Sequence, residues 1–322
     1  MKNKINLTGV ILCAGKGTRI KKMPFSQPKT LLEILGLPII YYQLRYLKNI
    51  GVKKVFIVSG KNKSDILKKI KTMPNLNLDI RFIKDLKPKG IASSLFKIKR
   101  YINGPILVFL GDIFLRDVNL KKMVNKFINF NCSCVLAAIK EKNYDKLKKN
   151  FTIQLSRNSK VKKVVEKPQK PKTDIKGVGI YLFSENIFKA ISKTSINFTG
   201  KSELGITEAI QTLIDTGNKV FSSLCVKEDV NINEPLDFWD TNFKQLKKTQ
   251  KKNFISKNVI IGKNVSIINS IIGPSVKIGN DSTIKNSIVF SNVHLKEKTY
   301  LTKSIKTNEG YLRFKWKKKI FW

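Results

Sequence analysis

Between residues 254 and 306 the aliphatic residues Ile261, Ile267, Ile272, Ile278, Ile284, Val289, Leu295 and Leu301 recur at steps of 6, 5, 6, 6, 5, 6 and 6. An α-helix repeats near 3.6 residues and a flat strand at 2, so neither produces this spacing. A parallel β-helix of triangular coils does, with one short strand per side and its aliphatic residue inside. A longer repeat supports it: Ser270, Ser287 and Ser304 lie 17 apart, as do Ile271, Ile288 and Ile305. Such coils bury their core only by stacking on neighbours, so the two ends need covers. The tail YLRFKWKKKIFW, in segment 307–322, puts Leu312, Phe314 and Trp316 on one side and Arg313, Lys315 and Lys317 on the other. It reads as a cap or a subunit contact, with attachment to a membrane surface as the sharper alternative.

Residues 1–245 follow a different rule, in which short apolar runs alternate with amphipathic stretches. TGVILCA (8–14), KVFIVSG, DIRFI and ILVFLGD (106–112) read as strands. Between them, a helix opened by Pro38 carries Ile40, Leu44 and Leu47 on one face and closes at Gly51. Ser64 is placed to cap a second helix, and Ile91, Leu95 and Ile98 line a third. Further on, FTIQL, KVKKVVEKP, KGVGIYLF and KVFSSLCV read as strands, and SENIFKAI, ELGITEAIQTLI and EPLDFWDTNFKQLKK as helices. This alternation implies an α/β fold with a doubly wound, mostly parallel sheet. Ligands of such sheets sit beyond the carboxyl ends of the strands, which puts Ala14 and Asp112 on one rim. A basic connector, 246–253, separates the two regions.

The charge is large: 63 basic and 22 acidic residues, a net +41. Only 7 of the basic residues are Arg, the side chain that base and phosphate readers favour for forked contacts. The lysines are spread along the whole chain, so we read a compositional bias over solvated faces and expect no nucleic-acid partner. That same field draws in polyphosphate ligands. Cys13, Cys132, Cys134 and Cys225 form no metal-spaced pair of pairs, and Cys132 and Cys134 are expected on opposite faces of a strand. All four are read as reduced thiols of a cytoplasmic protein. The apolar start is short, with bulky Leu12 before Cys13, so export is not expected, nor is stable membrane insertion.

The segment CAGKGTRIKKMPFSQPK (13–29) carries the chemistry. Gly15 and Gly17 let the backbone wrap around a ligand and present N–H groups to phosphate oxygens, and Lys16, Arg19 and Lys29 add positive charge. The segment lacks the ending of a Walker loop and the third glycine of a dinucleotide fingerprint. Gly-x-Gly-Thr-Arg followed by Pro-Lys, at Gly15, Gly17, Thr18, Arg19, Pro28 and Lys29, resembles the nucleotide-binding signature of the sugar-1-phosphate nucleotidylyltransferases. Further motifs of that family are resembled in order: KGIASSL at Gly90, LGD at Asp112, EKP at Glu166 and Lys167, GVGIYLF (the N-T-G-x-Y strand) at Gly179, ELGITEAI, and VNINEPLD at Asn231.

The resemblance implies a Rossmann-like nucleotidyltransferase domain over 1–245 and a left-handed β-helix of hexapeptide repeats over 254–306. It implies the reaction NTP plus sugar 1-phosphate giving NDP-sugar plus pyrophosphate, with magnesium as cofactor. In that reaction a sugar-phosphate oxygen attacks the α-phosphorus in line, so positioning and charge neutralisation carry the catalysis. The implied catalytic residues are Arg19, Lys29, Asp112 and Lys167, with Asp112 and Asn231 on the metal. Ala14, Gly15, Lys16, Gly17, Thr18, Asp85 and Gly90 are implied around the nucleotide, and Glu166, Gly179 and Phe151 around the sugar.

Three departures stand out. Asp85 occupies a position where relatives often carry Gln, and a carboxylate can only accept, which suits the two donors on guanine or weakens pairing with a pyrimidine. Phe151 falls where relatives have a glycine beside the sugar, which narrows that pocket or marks a shifted alignment. Glu208 replaces an Asp. UTP or dTTP with glucose or N-acetylglucosamine 1-phosphate is the leading expectation. GTP with mannose 1-phosphate, and a non-catalytic regulatory paralogue, are the alternatives. A homo-oligomer is expected. His294, the only histidine, is read as solvent-facing, and about three coils leave no acetyl-CoA site.

Overall fold

The computed structural model describes residues 5–15, 23–24, 27–196 and 203–315. In chain order the elements are β1 (Thr8–Cys13), a hairpin of β2 (Glu33–Ile34) and β3 (Leu37–Pro38), α1 (Ile39–Asn49), β4 (Lys54–Ser59), α2 (Lys63–Thr72) and β5 (Asp79–Lys84). Then come α3 (Ile91–Phe96), β6 (Ile106–Leu110), β7 (Ile113–Val118), α4 (Leu120–Asn129), β8 (Cys134–Lys140), α5 (Tyr144–Lys149), β9 (Phe151–Leu155), β10 (Val161–Glu166) and β11 (Ile175–Phe183). The series ends with α6 (Asn186–Ile196), α7 (Ile206–Asp215), β12 (Val220–Leu224), β13 (Val226–Asn231) and α8 (Pro235–Lys248), followed by the coils. The chain divides into two compact units, Met1–Gly17 with Ile40–Asp229, and Thr18–Ile39 with Val230–Trp322. Segment 18–39 and α8 therefore group with the coils.

The first unit is a nine-stranded sheet whose main path runs β10-β9-β11-β6-β1-β4-β5. Strands β6, β1, β4 and β5 are mutually parallel, as their apolar runs imply: Val10, Ile11, Val55, Ile57, Ile106 and Phe109 are all fully buried. Strand β11 enters antiparallel between β6 and both β8 and β9. α1 buries Ile40, Leu44 and Leu47 and ends where Gly51 takes φ 85°, its N–H on Lys48 O. The second helix departs from expectation. It begins at Lys63 after Asn62, so Ser64 lies inside the first turn, and Asn62 Nδ2 reaches back to Cys13 O at 3.2 Å.

β7 and α4, unassigned in the sequence reading, occupy 113–129, and β8 (134–140) follows where the sequence reading put a strand only around Cys132 and Cys134. The opposite-face expectation fails on two counts: residues two apart in a strand share a face, and β8 starts only at Cys134, so Cys132 precedes it; both thiols are buried. All four cysteines are buried and outside any disulfide. Burial pushes the Cys132 and Cys225 thiols up to about 11 and raises Cys134 as well. A thiol that resists ionisation in the fold stabilises it below the unfolded pKa and stops doing so as pH rises through the folded value. The melting temperature is therefore expected to fall between about pH 9 and about pH 11, and native protein at pH 8 should leave the thiols unreactive to a disulfide reagent until it is unfolded. Rapid modification of the native protein would contradict this.

In the second unit, α8 starts with Pro235 at its first turn, and Asp237 Oδ2 accepts from the Asn233 and Glu234 N–H groups. The coils follow as three faces. The first is β14 (Phe254–Ile255), β17 (Ile271–Ile272), β20 (Ile288–Val289), β23 (Ser304–Lys306) and β24 (Tyr311–Arg313). The second is β15 (Ile260–Ile261), β18 (Lys277–Ile278) and β21 (His294–Leu295); the third is β16 (Ser266–Ile268), β19 (Thr283–Lys285) and β22 (Tyr300–Thr302). Neighbouring coils pair in parallel at an offset of 17 residues.

The repeated serines form an internal ladder. Ser270, Ser287 and Ser304 are buried, Ser287 N–H donates to Ser270 Oγ and Ser304 N–H to Ser287 Oγ, each at 3.1 Å. Corners at Asn258, Asn264, Asn269, Asp281, Asn286 and Asn292 lie in the left-handed region, which Asn and Asp tolerate best among non-glycine residues. β24 turns back antiparallel on β23 and closes the last coil on that face, with Leu312 opposite Ile305 and the Phe314 ring edge-on to Trp239. The expected cap is thus present to Lys315; Trp316, Lys317 and the rest of the tail lie outside the described residues.

Candidate functional site

The carboxyl ends of β1, β4, β5 and β6 form one rim of the first unit. Ala14, just past β1, is buried and Gly15 is exposed. Gly60 leaves β4 wedged between backbone atoms of Ala14 and Asp85; a Cβ there would sit 3.2 Å from Asp85 O and 3.5 Å from Ala14 O. Gly111 N–H donates to Leu12 O at 2.9 Å, which holds the turn after β6 against the end of β1. Asp112 follows in that tight turn with an exposed side chain. Gly15 and Asp112 therefore follow neighbouring strand ends at the centre of the rim. Lys16, Gly17, Thr18 and Arg19 lie outside the described residues.

Asp85 is fully buried. Its Oδ2 accepts from Ser94 Oγ at 2.7 Å and its Oδ1 lies 3.2 Å from Lys97 Nζ. The carboxylate is spent on α3 and its following residue, not presented on the rim. Gly90 precedes α3 with φ 103°, and a Cβ at this position would strike Leu204 backbone. Two backbone bonds tie the crossing: Leu204 N–H to Lys89 O at 2.7 Å and Ala92 N–H to Leu204 O at 3.2 Å.

A second group lies at the ends of β9, β10 and β11. Glu166 ends β10 exposed, and its Oε2 accepts from Thr207 Oγ1 at 2.8 Å. Lys167 takes φ 43°, donates its N–H to Asn150 O and leaves its ammonium side exposed. Helix α7 is fixed beside them by Gln211 Oε1, which accepts from Val164 N–H. Phe151 is not a solvent-facing wall. Its ring is buried over Gly177, where a Cβ would collide with it, and stacks on Tyr181 at 6.2 Å and 25°. Gly177 stands where the resembled N-T-G-x-Y motif has its Asn, so the ring fills the space of a missing side chain. Burial, with Glu166 adding to it, raises the Tyr181 hydroxyl out of reach of any physiological titration. Gly179 adopts φ 47° in the bulge between Gly177 and Tyr181, and a Cβ would meet Ile113 Cδ1 at 2.6 Å.

In the second unit Lys29 is 8% exposed and its Nζ donates to Asn233 Oδ1 at 2.8 Å. The segment bearing it is held further along: Asn242, fully buried on α8, donates to Glu33 O and accepts from Leu35 N–H. Ser291 Oγ donates to the Glu33 carboxylate at 2.8 Å. Asn231 ends β13 with its side chain exposed. Asp229, two residues earlier, is bonded to the buried Lys176 at 2.7 Å and is only 3% exposed, so Asn231 is the accessible oxygen donor of the two.

Asp112 offers a carboxylate and, in the second unit, Asn231 an amide carbonyl, each a hard oxygen of the kind magnesium takes alongside several waters. Among the described residues no group of three or more His, Cys, Asp or Glu is gathered for a more demanding ion. Sequence reasoning missed Asn233, Asn242, Ser94, Lys97 and Thr207. All are second partners whose contacts span many residues, and no local spacing marks them.

Comparison with known proteins agrees with this architecture. Residues 8–244 match the nucleotidyl transferase family and residues 239–310 the GlmU-like C-terminal hexapeptide family. A bifunctional protein GlmU of Methanocaldococcus jannaschii is 28% identical over 81% of this chain and 60% of its own length. A glucose-1-phosphate thymidylyltransferase of Streptomyces griseus is 26% identical over 84% of this chain and 77% of its own. The chain thus spans less than two thirds of the GlmU relative's length. A UDP-glucose pyrophosphorylase solved with UDP-glucose superposes with TM-score 0.66 at 21% identity, covering 76% of this chain and 100% of that one. With the family model matching well over half its length, the chain belongs to the nucleotidyl transferase family.

Proposed function

We propose that this protein is a sugar-1-phosphate nucleotidylyltransferase that joins a sugar 1-phosphate to the α-phosphate of a nucleoside triphosphate and releases pyrophosphate. The observation that carries it is the placement of exposed Asp112 in the turn held against the end of β1, where the glycine loop begins. A sugar-phosphate oxygen forms the new bond to the α-phosphorus as the bond to pyrophosphate breaks. The attacking group is already ionised, so no side-chain base is needed. Lys167 binds the incoming phosphate, Glu166 orients the sugar with Thr207 fixing its carboxylate, and Lys29 with Arg19 neutralises the triphosphate. Asp112 and Asn231 would hold magnesium, which when bound supplies charge for the developing pyrophosphate.

The buried, paired state of Asp85 removes the ground for preferring guanine, so UTP or dTTP leads. Glucose or N-acetylglucosamine 1-phosphate is the favoured partner. The protein is read as a cytoplasmic homo-oligomer; no helix among the described residues is long and apolar enough to cross a membrane. The Phe151 ring over Gly177 is the one observation that favours a non-catalytic regulatory paralogue. Magnesium-dependent pyrophosphate release across a grid of nucleoside triphosphates and sugar 1-phosphates decides the matter. Turnover in one combination is expected. Folded protein that binds a nucleotide sugar but turns over nothing would favour the regulatory reading.

A further inference from the structure

Helix α1 turns two faces inward. Ile40, Leu44 and Leu47 are its buried apolar stripe, and Tyr42, Gln43 and Tyr46 form a second face against residues 110–115. The Tyr42 ring meets Phe114 edge-on, with centroids 5.2 Å apart at 89°. The Tyr46 hydroxyl donates to Leu115 O at 3.0 Å. Gln43 is only 1% exposed. Its Nε2 donates to Leu110 O at 2.9 Å and to Ile113 O at 3.1 Å. Those two carbonyls stand on either side of Gly111 and Asp112. One side-chain amide, 67 and 70 residues earlier in the chain, therefore ties both ends of the turn that presents Asp112.

Chemistry fixes which way this amide points. Turned over, its oxygen would face two carbonyl oxygens, so both contacts require the NH2 group. The Oε1 left on the other side is buried with no hydrogen-bond partner. An unpaired buried acceptor opposes folding, and an apolar side chain of this size would be free of that penalty. What the apolar side chain lacks is the pair of N–H donors on the turn. The turn is braced from other directions as well. Gly111 N–H is held by Leu12 O at 2.9 Å. The Gly179 backbone comes so close that a Cβ there would sit 2.6 Å from Ile113 Cδ1 and 3.1 Å from Leu110 Cδ1. The Asp112 side chain is exposed, so the backbone beneath it sets where its carboxylate stands.

We propose that Gln43 is a positioning residue for Asp112: it holds the Gly111–Asp112 turn in one geometry, so that the carboxylate is already placed when a divalent cation arrives with the nucleotide. The proposal rests on the catalytic reading given above. Metal-binding groups lose affinity when the residues that orient them are removed, commonly by about tenfold to a hundredfold. Bonds to the carbonyls on both sides of a donor restrain it in the same way. Gln43 touches neither substrate nor cation in this scheme and acts only through the turn.

Gln43→Met keeps the bulk and removes both donors. Tyr46→Phe is the control, because it removes one bond from the same helix to Leu115 O, two residues beyond Ile113. Two measurements on the full chain test the proposal. Hydrogen exchange without ligand reads the turn itself. The Gly111 amide, protected by Leu12 O, is expected to exchange roughly tenfold faster or more in Q43M and at the wild-type rate in Y46F. The magnesium concentration giving half-maximal pyrophosphate release is expected to rise roughly tenfold or more in Q43M, with an unchanged KM for the sugar 1-phosphate, and not to move in Y46F. Gln43→Asn keeps an amide one methylene short and should fall between; it carries the same readouts where Q43M melts too low to assay. A folded variant with wild-type exchange at Gly111 overturns the proposal. So does a magnesium midpoint moved equally by Q43M and Y46F, which marks lost stability rather than lost placement. Wild-type protein that turns over nothing sinks the catalytic reading and the cation role together, whereas turnover with an unmoved midpoint in Q43M sinks the proposal alone.

Discussion

Replacing Asp112 by alanine is expected to reduce kcat by roughly a thousandfold or more, the usual scale for removing a group that holds charge at a phosphoryl centre. The side chain is exposed in a turn, and the turn itself is held by the Gly111 N–H on Leu12 O, which the substitution leaves intact. Stability should therefore change by no more than about 0.5 kcal/mol. Asp112→Asn keeps one oxygen donor and should retain part of the activity, recovered further at raised magnesium. Equal kcat for wild type and D112A, at any magnesium concentration, would remove Asp112 from the mechanism.

Lys29→Met is the second large effect. The ammonium is nearly buried and bonded to Asn233 Oδ1. The substitution removes the charge and the hydrogen bond to that amide oxygen. We expect kcat/KM for the nucleoside triphosphate to fall by roughly a hundredfold to a thousandfold. Asn233→Ala separates charge from placement: it keeps the ammonium but releases it, and a loss nearer tenfold is expected, mainly in kcat. If K29M loses thermal stability yet keeps wild-type kcat/KM, Lys29 is a structural residue and the assignment fails. The Glu33–Ser291 contact lies in the same segment, so Ser291→Ala should resemble a weaker N233A rather than an acyl-transfer defect.

Much of the architecture was legible because the signals are local. The central strands are apolar throughout since they are covered on both faces, and the helices between them carry one apolar face each. The antiparallel entry of β11 was not legible, because strand direction depends on where the chain returns, not on its composition. The strand-to-helix run 113–129 was lost for a related reason: β7 follows β6 after only two residues, so the two apolar runs blend. Residue roles were less legible still. Asp85 reads in sequence as a free acceptor for a base; it is neutralised by Lys97, twelve residues on. Phe151 reads as a wall of the sugar pocket; its ring lies over a glycine on another strand.

By itself, then, the sequence determined the period-six coils, the alternation that builds the sheet and the order of the motifs that carry the family resemblance. Each follows from which residue types recur at a fixed step along the chain, and a repeat carries its own register from one coil to the next. The tertiary structure alone decided that Lys29 meets Asn233 across 204 residues, that Asp229 is consumed by Lys176 and leaves Asn231 accessible, and that Gln43 ties both ends of the Asp112 turn. Those outcomes depend on which distant surfaces close on each other, and burial, once it occurs, sets which polar groups must pair and which remain available.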